Sequence, residues 1–294
     1  MADVSLWCSI ASIVSLIIIT VIYGNFKPDL EVVDAKHESE NPKIIQILFN
    51  GWNTDEYKSK IMGMLPWYFV GLLLIQWIIS MIYVSSKYGN LGKNLGVTTL
   101  YTFIPWILIF GVMMGILIMY PGFKNAFSNV IGYFIISNQA NDLLTSLLGT
   151  GDVNKKVNAE SNNEKKQNLL EAADIILKIC GNKGVIINEI NSENFADMWN
   201  TLNTLSLDSI SENDKKNMRQ DLLDLVLRKE TIGEFCWYIY CGILVSSIVF
   251  YQLSAQTYEK STEEIAENEQ QYVAEQDEKA KQEEVYNNVS YTMS

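Results

Sequence analysis

The sequence predicts an all-α membrane protein. It has four transmembrane helices, a small helical domain between the third and fourth, and a polar helical C-terminal tail. Three observations predict this class. Four stretches of the length a bilayer core requires, about 20 residues, are mostly apolar and carry no charge in their interiors. Between the third and fourth stretches, apolar residues recur at helical spacing. After the fourth, the chain turns rich in Glu, Gln, Lys and Ala. The mean hydropathy of +0.07 averages over these contrasts and describes none of them.

The first span runs from about Ser5 to Tyr23, the second from Met64 to Val84, the third from Phe103 to Tyr120 and the fourth from Glu234 to Leu253. Trp7, Trp67, Trp77, Trp106 and Trp237 lie mostly towards their ends, as in an interfacial aromatic belt. Pro66 and Pro105 fall in the first turns of their predicted helices, where a missing N–H costs little. Before the first span stands Asp3, with no Lys or Arg, and GNFKPDL after it offers no small-x-small cleavage site. An uncleaved anchor is therefore expected rather than a signal peptide. Four spans put both termini on one side. Lys27, Lys58 and Lys60 in the first loop and Lys124, Arg228 and Lys229 in the third favour a cytosolic placement of those loops, while Lys87 and Lys93 in the second argue the other way.

The domains expected are a first membrane anchor (1–23), an acidic loop (24–63), a transmembrane hairpin (64–121), a membrane-surface segment with the helical domain (122–232), the fourth span (233–253) and the acidic tail (254–294). The acidic loop reads as solvated, with Ile44–Phe49 forming a short helix or strand before the Asn50-Gly51 turn. The helical domain shows three amphipathic patterns. Glu164–Cys180 is closed by Gly181, Glu193–Leu205 follows Ser192 as N-cap, and Glu212–Arg228 follows a Ser211/Asp214 capping box. GVIIN, 184–188, predicts one short strand, and 154–163 a loop. The tail carries ten acids against three Lys, a net −7 of the chain's −12, and no sustained heptad seam.

The chemistry is bland. Neither a phosphate loop nor a zinc-protease or nucleophile-elbow motif is present. The single histidine, His37, sits in a polar acidic loop, and the four Cys form no CxxC pair, so buried free thiols are expected. No enzyme activity, cofactor or metal is expected, and the acidic balance excludes a general nucleic-acid binder. Within the spans Gln76 is the main polar mark, which argues against a transport pathway. Gly111 and Gly115 form a GxxxG helix-packing motif, and Gly242 with Ser246 a similar small pair. A homo-oligomeric channel or transporter packed through Gly111 and Gly115 is the alternative function this pattern allows.

Two stretches flank the entrance to the helical domain. PGFKNAFSNVIGYFII, Pro121–Ile136, carries Pro121, Gly122, Phe127, Asn129, Gly132 and Tyr133; it reads as a segment that leaves the bilayer and folds back along its surface. IINEINSENFADMW, Ile186–Trp199, carries Asn188, Glu189, Phe195 and Trp199. Together they resemble polytopic membrane proteins of the nucleocytoplasmic large DNA viruses, over roughly Met64 to Tyr251. The resemblance implies a structural virion protein, a minor capsid component of the viral inner membrane that links that membrane to the capsid shell. It would pass through host membranes during assembly. Its partners would be the lipid bilayer and capsid or other virion membrane proteins.

Overall fold

The computed structural model describes residues 2–35, 41–89, 91–148, 183–207, 209–256, 266 and 269–281. His37, the 154–163 loop, the Glu164–Cys180 helix and the end of the tail lie outside them. The described chain is almost wholly helical, and four of its helices are long and apolar enough to cross a bilayer.

The chain divides into two compact units, one of Met1–Ser15, Leu73–Ile107 and Leu244–Ser294, the other of Leu16–Leu72 and Leu108–Ile243. Helix α1 spans Ala2–Phe26, and α2 spans Asp55–Tyr88. Helix α3, Leu91–Pro105, passes through a π-helical turn, Trp106–Gly111, into α4, Val112–Met119. Helices α5, α6 and α7 cover Tyr133–Leu148, Lys183–Glu189 and Phe195–Leu205. Helix α8 runs unbroken from Glu212 to Ala255. Residues 269–281 of the tail are helical and exposed.

Several expectations are corrected. Pro66 lies well inside α2, because that helix starts at Asp55 rather than near Met64. Pro105 ends α3 rather than standing in a first turn, and a π-helical turn follows it. GVIIN is helical within α6, since a short apolar run cannot by itself tell a strand from a buried helix. Ser192 does not cap α7. That helix begins at Phe195 with Asn194 before it, and Ser192 bonds to Glu230 instead. The Ser211 cap does form, with the Asp214 N–H donating to Ser211 Oγ at 3.1 Å.

The first unit packs its helices through polar contacts. The Ser12 hydroxyl donates to Gln76 Oε1 and lies 2.9 Å from Ser246 Oγ, while Gln76 Nε2 donates to the Ser12 carbonyl at 3.0 Å. Tyr83 OH lies 2.7 Å from Ser254 Oγ, and Gly89, at φ 64°, closes α2 in a conformation glycine adopts freely.

The second unit contains the soluble core. Strands β1, Asp29–Val33, and β2, Ile44–Leu48, pair in parallel, with Leu30 opposite Ile45 and Val32 opposite Ile47. These four side chains are buried against α5, α7 and the first half of α8, with Trp199 only 4% exposed at the centre. So the first and third loops build one core. Gln220 covers the free edge of β1, accepting from the Val32 N–H at 2.9 Å and donating to the Leu30 carbonyl at 2.8 Å. Arg219 reaches Asp34 at 3.2 Å, and Lys216 reaches the same carboxylate at 2.6 Å.

Candidate functional site

Three charged residues stand where apolar helices end in the second unit. Lys27 follows α1, Lys124 follows α4, and Glu234 opens the apolar half of α8. Glu234 is 2% exposed, and its Oε2 accepts from Lys27 Nζ at 2.9 Å and from Lys124 Nζ at 3.1 Å. Its Oε1 accepts from Tyr238 OH at 2.9 Å, with Tyr23 OH at 3.5 Å. A carboxylate taken out of water needs such partners at both oxygens. An aromatic wall surrounds the trio: the Tyr68 ring stacks on Tyr23 at 4.6 Å between centroids and lies 5.4 Å from Tyr238.

The two lysines differ in solvation. The Lys27 side chain is 8% exposed, and burial lowers its pKa despite the pull of Glu234. The Lys124 side chain keeps 23% exposure. Burial lowers it too, but Glu234 and Glu230 outweigh burial and hold it above the usual lysine value. One carboxylate thus holds two ammonium groups, one dry and one partly wet.

A cavity of about 260 Å³ opens beside this trio. Lys27, Lys58, Lys124, Glu193, Glu230 and Glu234 line its polar side, and Met62, Leu65, Leu117 and Ile118 line its apolar side. Glu193 pairs with Lys58 at 2.7 Å. Glu230 accepts from the Ser192 N–H at 2.8 Å and from its hydroxyl at 2.9 Å.

Three of the residues singled out in the sequence, Asn129, Gly132 and Asn188, gather around a different lysine. Lys229, 1% exposed, donates to the carbonyls of Ile187 at 2.6 Å and Ile190 at 3.0 Å. It thereby satisfies the end of α6, where the helix leaves carbonyls unpaired and favours a cation. Asn129 Oδ1 lies 3.4 Å from the same ammonium, and Asn188 Nδ2 donates to the Asn129 carbonyl at 3.2 Å. Gly132 lets the Lys229 backbone approach: a Cβ there would stand 2.6 Å from its carbonyl oxygen. Tyr133 packs over Gly184 in the same way. Phe127 meets the Trp237 ring edge-on, and Phe195 meets Trp52. Pro121 and Gly122 line the cavity, Trp199 sits in the core, and Glu189 is exposed, its carbonyl accepting from Asn194 Nδ2 at 2.8 Å. The stretches Pro121–Ile136 and Ile186–Trp199, far apart in sequence, thus meet at one buried ammonium.

Gly115 has open space where a Cβ would be, so no helix among the described residues packs closely there, while Gly242 receives the Leu16 side chain. Gly111 belongs to the π-helical turn. Among the described residues no group of three or more His, Cys, Asp or Glu could hold a metal ion. The Lys27–Glu234–Lys124 trio is not singled out from the sequence as a site. The signal for it is parity: with alternating spans, the ends at Lys27 and Lys124 and the start at Glu234 share one side, and their charges are complementary. Compared with protein-family models, curated proteins and solved structures, the chain matches none.

Proposed function

We propose that this chain is a structural membrane protein that fixes a helical body to a bilayer and ties that bilayer to a protein shell. In the setting the sequence resemblance implies, the bilayer is the internal membrane of a large icosahedral DNA virus and the shell its capsid. The supporting observation is helix α8. It gives Leu222, Leu223 and Val226 to the soluble core, Lys229 to the α6 cap and Glu234 to the buried trio without a break. Body and membrane anchor therefore share one stiff element, which suits a part that carries load. In the first unit Ser12 and Gln76 bond to each other across two spans and Ser12 reaches Ser246 on a third, which suits helix association more than a conduction path. The reading assigns no reaction to the chain, and its partners are lipid and the shell's inner surface.

A second reading is a homo-oligomeric channel. It is favoured by the open space at Gly115, which leaves that face free for a second copy. Two measurements separate the readings. Quantitative mass spectrometry of purified particles should find the chain at a copy number tied to the capsid lattice, and full-length protein in proteoliposomes should pass no ions. Absence from particles would overturn the structural reading, and ion flux that scales with protein would favour the channel.

A further inference from the structure

The cavity beside Glu234 has unspent donors. An ammonium carries three N–H groups. Lys27 is 8% exposed and places one of them on Glu234 at 2.9 Å, with the Tyr23 and Phe235 rings 5.2 and 5.8 Å from its nitrogen. Lys124 places one on the same oxygen at 3.1 Å. Both line the cavity, so two cations present N–H groups to one space. That is the chemistry that receives phosphate oxygens.

The charge balance narrows the ligand further. Lys27, Lys58 and Lys124 face Glu193, Glu230 and Glu234 across the lining, which sums to zero. An anion alone would leave the site negative, whereas a zwitterion leaves it neutral. Each Glu230 oxygen accepts one bond from Ser192 and keeps acceptor capacity for an ammonium. Met62, Leu65, Leu117 and Ile118, carried by two of the spanning helices, give the lining an apolar part. Its Met62 and Ile118 are 48% and 36% exposed on helices that bilayer would surround, so the mouth opens where acyl chains lie. The volume of about 260 Å³ suits a headgroup rather than a whole lipid.

We propose that this cavity seats the headgroup of a phospholipid bearing a primary amine, its phosphate on Lys27 and Lys124, its ammonium at Glu230, and its acyl chains leaving past Met62 and Ile118. The lipid would complete the hydrogen bonds of the trio and lock α1, α4 and α8 to the bilayer at one depth. The proposal stands whether or not the chain meets a capsid.

The test uses the full chain in detergent, incubated with phosphatidylethanolamine, phosphatidylcholine, phosphatidylglycerol or inorganic phosphate, and read by native mass spectrometry. One phosphatidylethanolamine per chain should be retained, in preference to the other two lipids by on the order of tenfold. Inorganic phosphate should not displace it. Lys124→Gln should lower retention by a similar factor. Ile118→Trp, which narrows the mouth and leaves every charge in place, should lower it too and covers the case in which the lysine variant folds poorly. The proposal is overturned by equal retention of phosphatidylglycerol, by displacement with inorganic phosphate, by parent-level retention in Ile118→Trp, or by no retained lipid.

Discussion

One unit joins its helices through a buried group of Ser12, Gln76 and Ser246, all neutral. In the other, Lys27 and Glu234 are buried beside the part-exposed Lys124, and all three are charged. The neutral group can lose a member and leave little behind, because a hydroxyl or amide in a helix bundle finds another partner. The charged group cannot, since removing its one acid leaves two ammonium groups without their carboxylate, one of them, Lys27, buried. The comparison teaches that buried polarity has two uses in this chain: interchangeable glue between helices, and an obligate joint where helices leave the apolar layer.

The largest expected effect breaks the charged joint. Glu234→Gln should destabilise the protein by about 3–5 kcal/mol, as measured by unfolding in mixed micelles followed by Trp fluorescence. Replacing Lys27, Lys124 and Glu234 together by Met should recover most of that loss, because an all-apolar site has no uncompensated charge. A loss below about 1 kcal/mol for Glu234→Gln would mean that water reaches the trio and that the contrast with Ser12 and Gln76 is empty.

Next is the approach at Gly132. An alanine there meets the Lys229 carbonyl oxygen, and backbone must shift to admit it. The expected cost is about 1–3 kcal/mol. Hydrogen exchange should show the loss in α6, whose end Lys229 caps. A smaller effect is expected for the neutral glue: Ser12→Ala should cost about 0.6 kcal/mol, near the average for hydrogen bonds between membrane helices. If it approached the cost of Glu234→Gln, the two units would not differ in kind.

The smallest effect lies at the surface. Lys216 and Arg219 hold the Asp34 carboxyl below its ordinary value of 3.8, against a smaller opposing effect of burial. A depressed carboxyl contributes its stability above the unfolded value, and the contribution fades as pH falls through the folded one. Acid below about pH 4 should therefore loosen the end of β1 from α8. Asp34→Asn should remove this part of the pH dependence, compared by unfolding midpoints from pH 6 to pH 3.

The spans were legible because uncharged apolar runs of that length have few other uses. Their starts were less so: α2 begins at Asp55 and α3 at Leu91, in polar sequence whose helicity depends on the apolar residues that follow. Ile44–Leu48 allowed a strand or a helix, and its strand state is decided by Asp29–Val33, a segment whose acids concealed the buried Leu30 and Val32. GVIIN was misread for the complementary reason, since its partners in packing are helices. Tyr133 and Gly184, Asn129 and Asn188, and Gly132 and Lys229 are each far apart in the chain, so their meeting was hidden in one dimension. Glu234 looked like a boundary residue, because nothing local in sequence marks a carboxylate for burial.

Helix α8 has a property that follows from its continuity. Its buried positions Leu222, Val226, Lys229 and Gly233 recur every three or four residues, and Glu234, Tyr238 and Cys241 do the same from one residue on, about 100° round the helix, as the surroundings change from protein core to apolar span. The helix turns its buried stripe between the two solvents while its backbone runs on unbroken. It therefore behaves as a torsion bar: a twist imposed on its apolar half must appear at Leu222, because no loop lies between to absorb it. A single residue inserted near Thr231 would turn one half against the other by about 100°. It would face the Lys229 ammonium or the Glu234 carboxylate away from its partners, though no residue of either group had been changed.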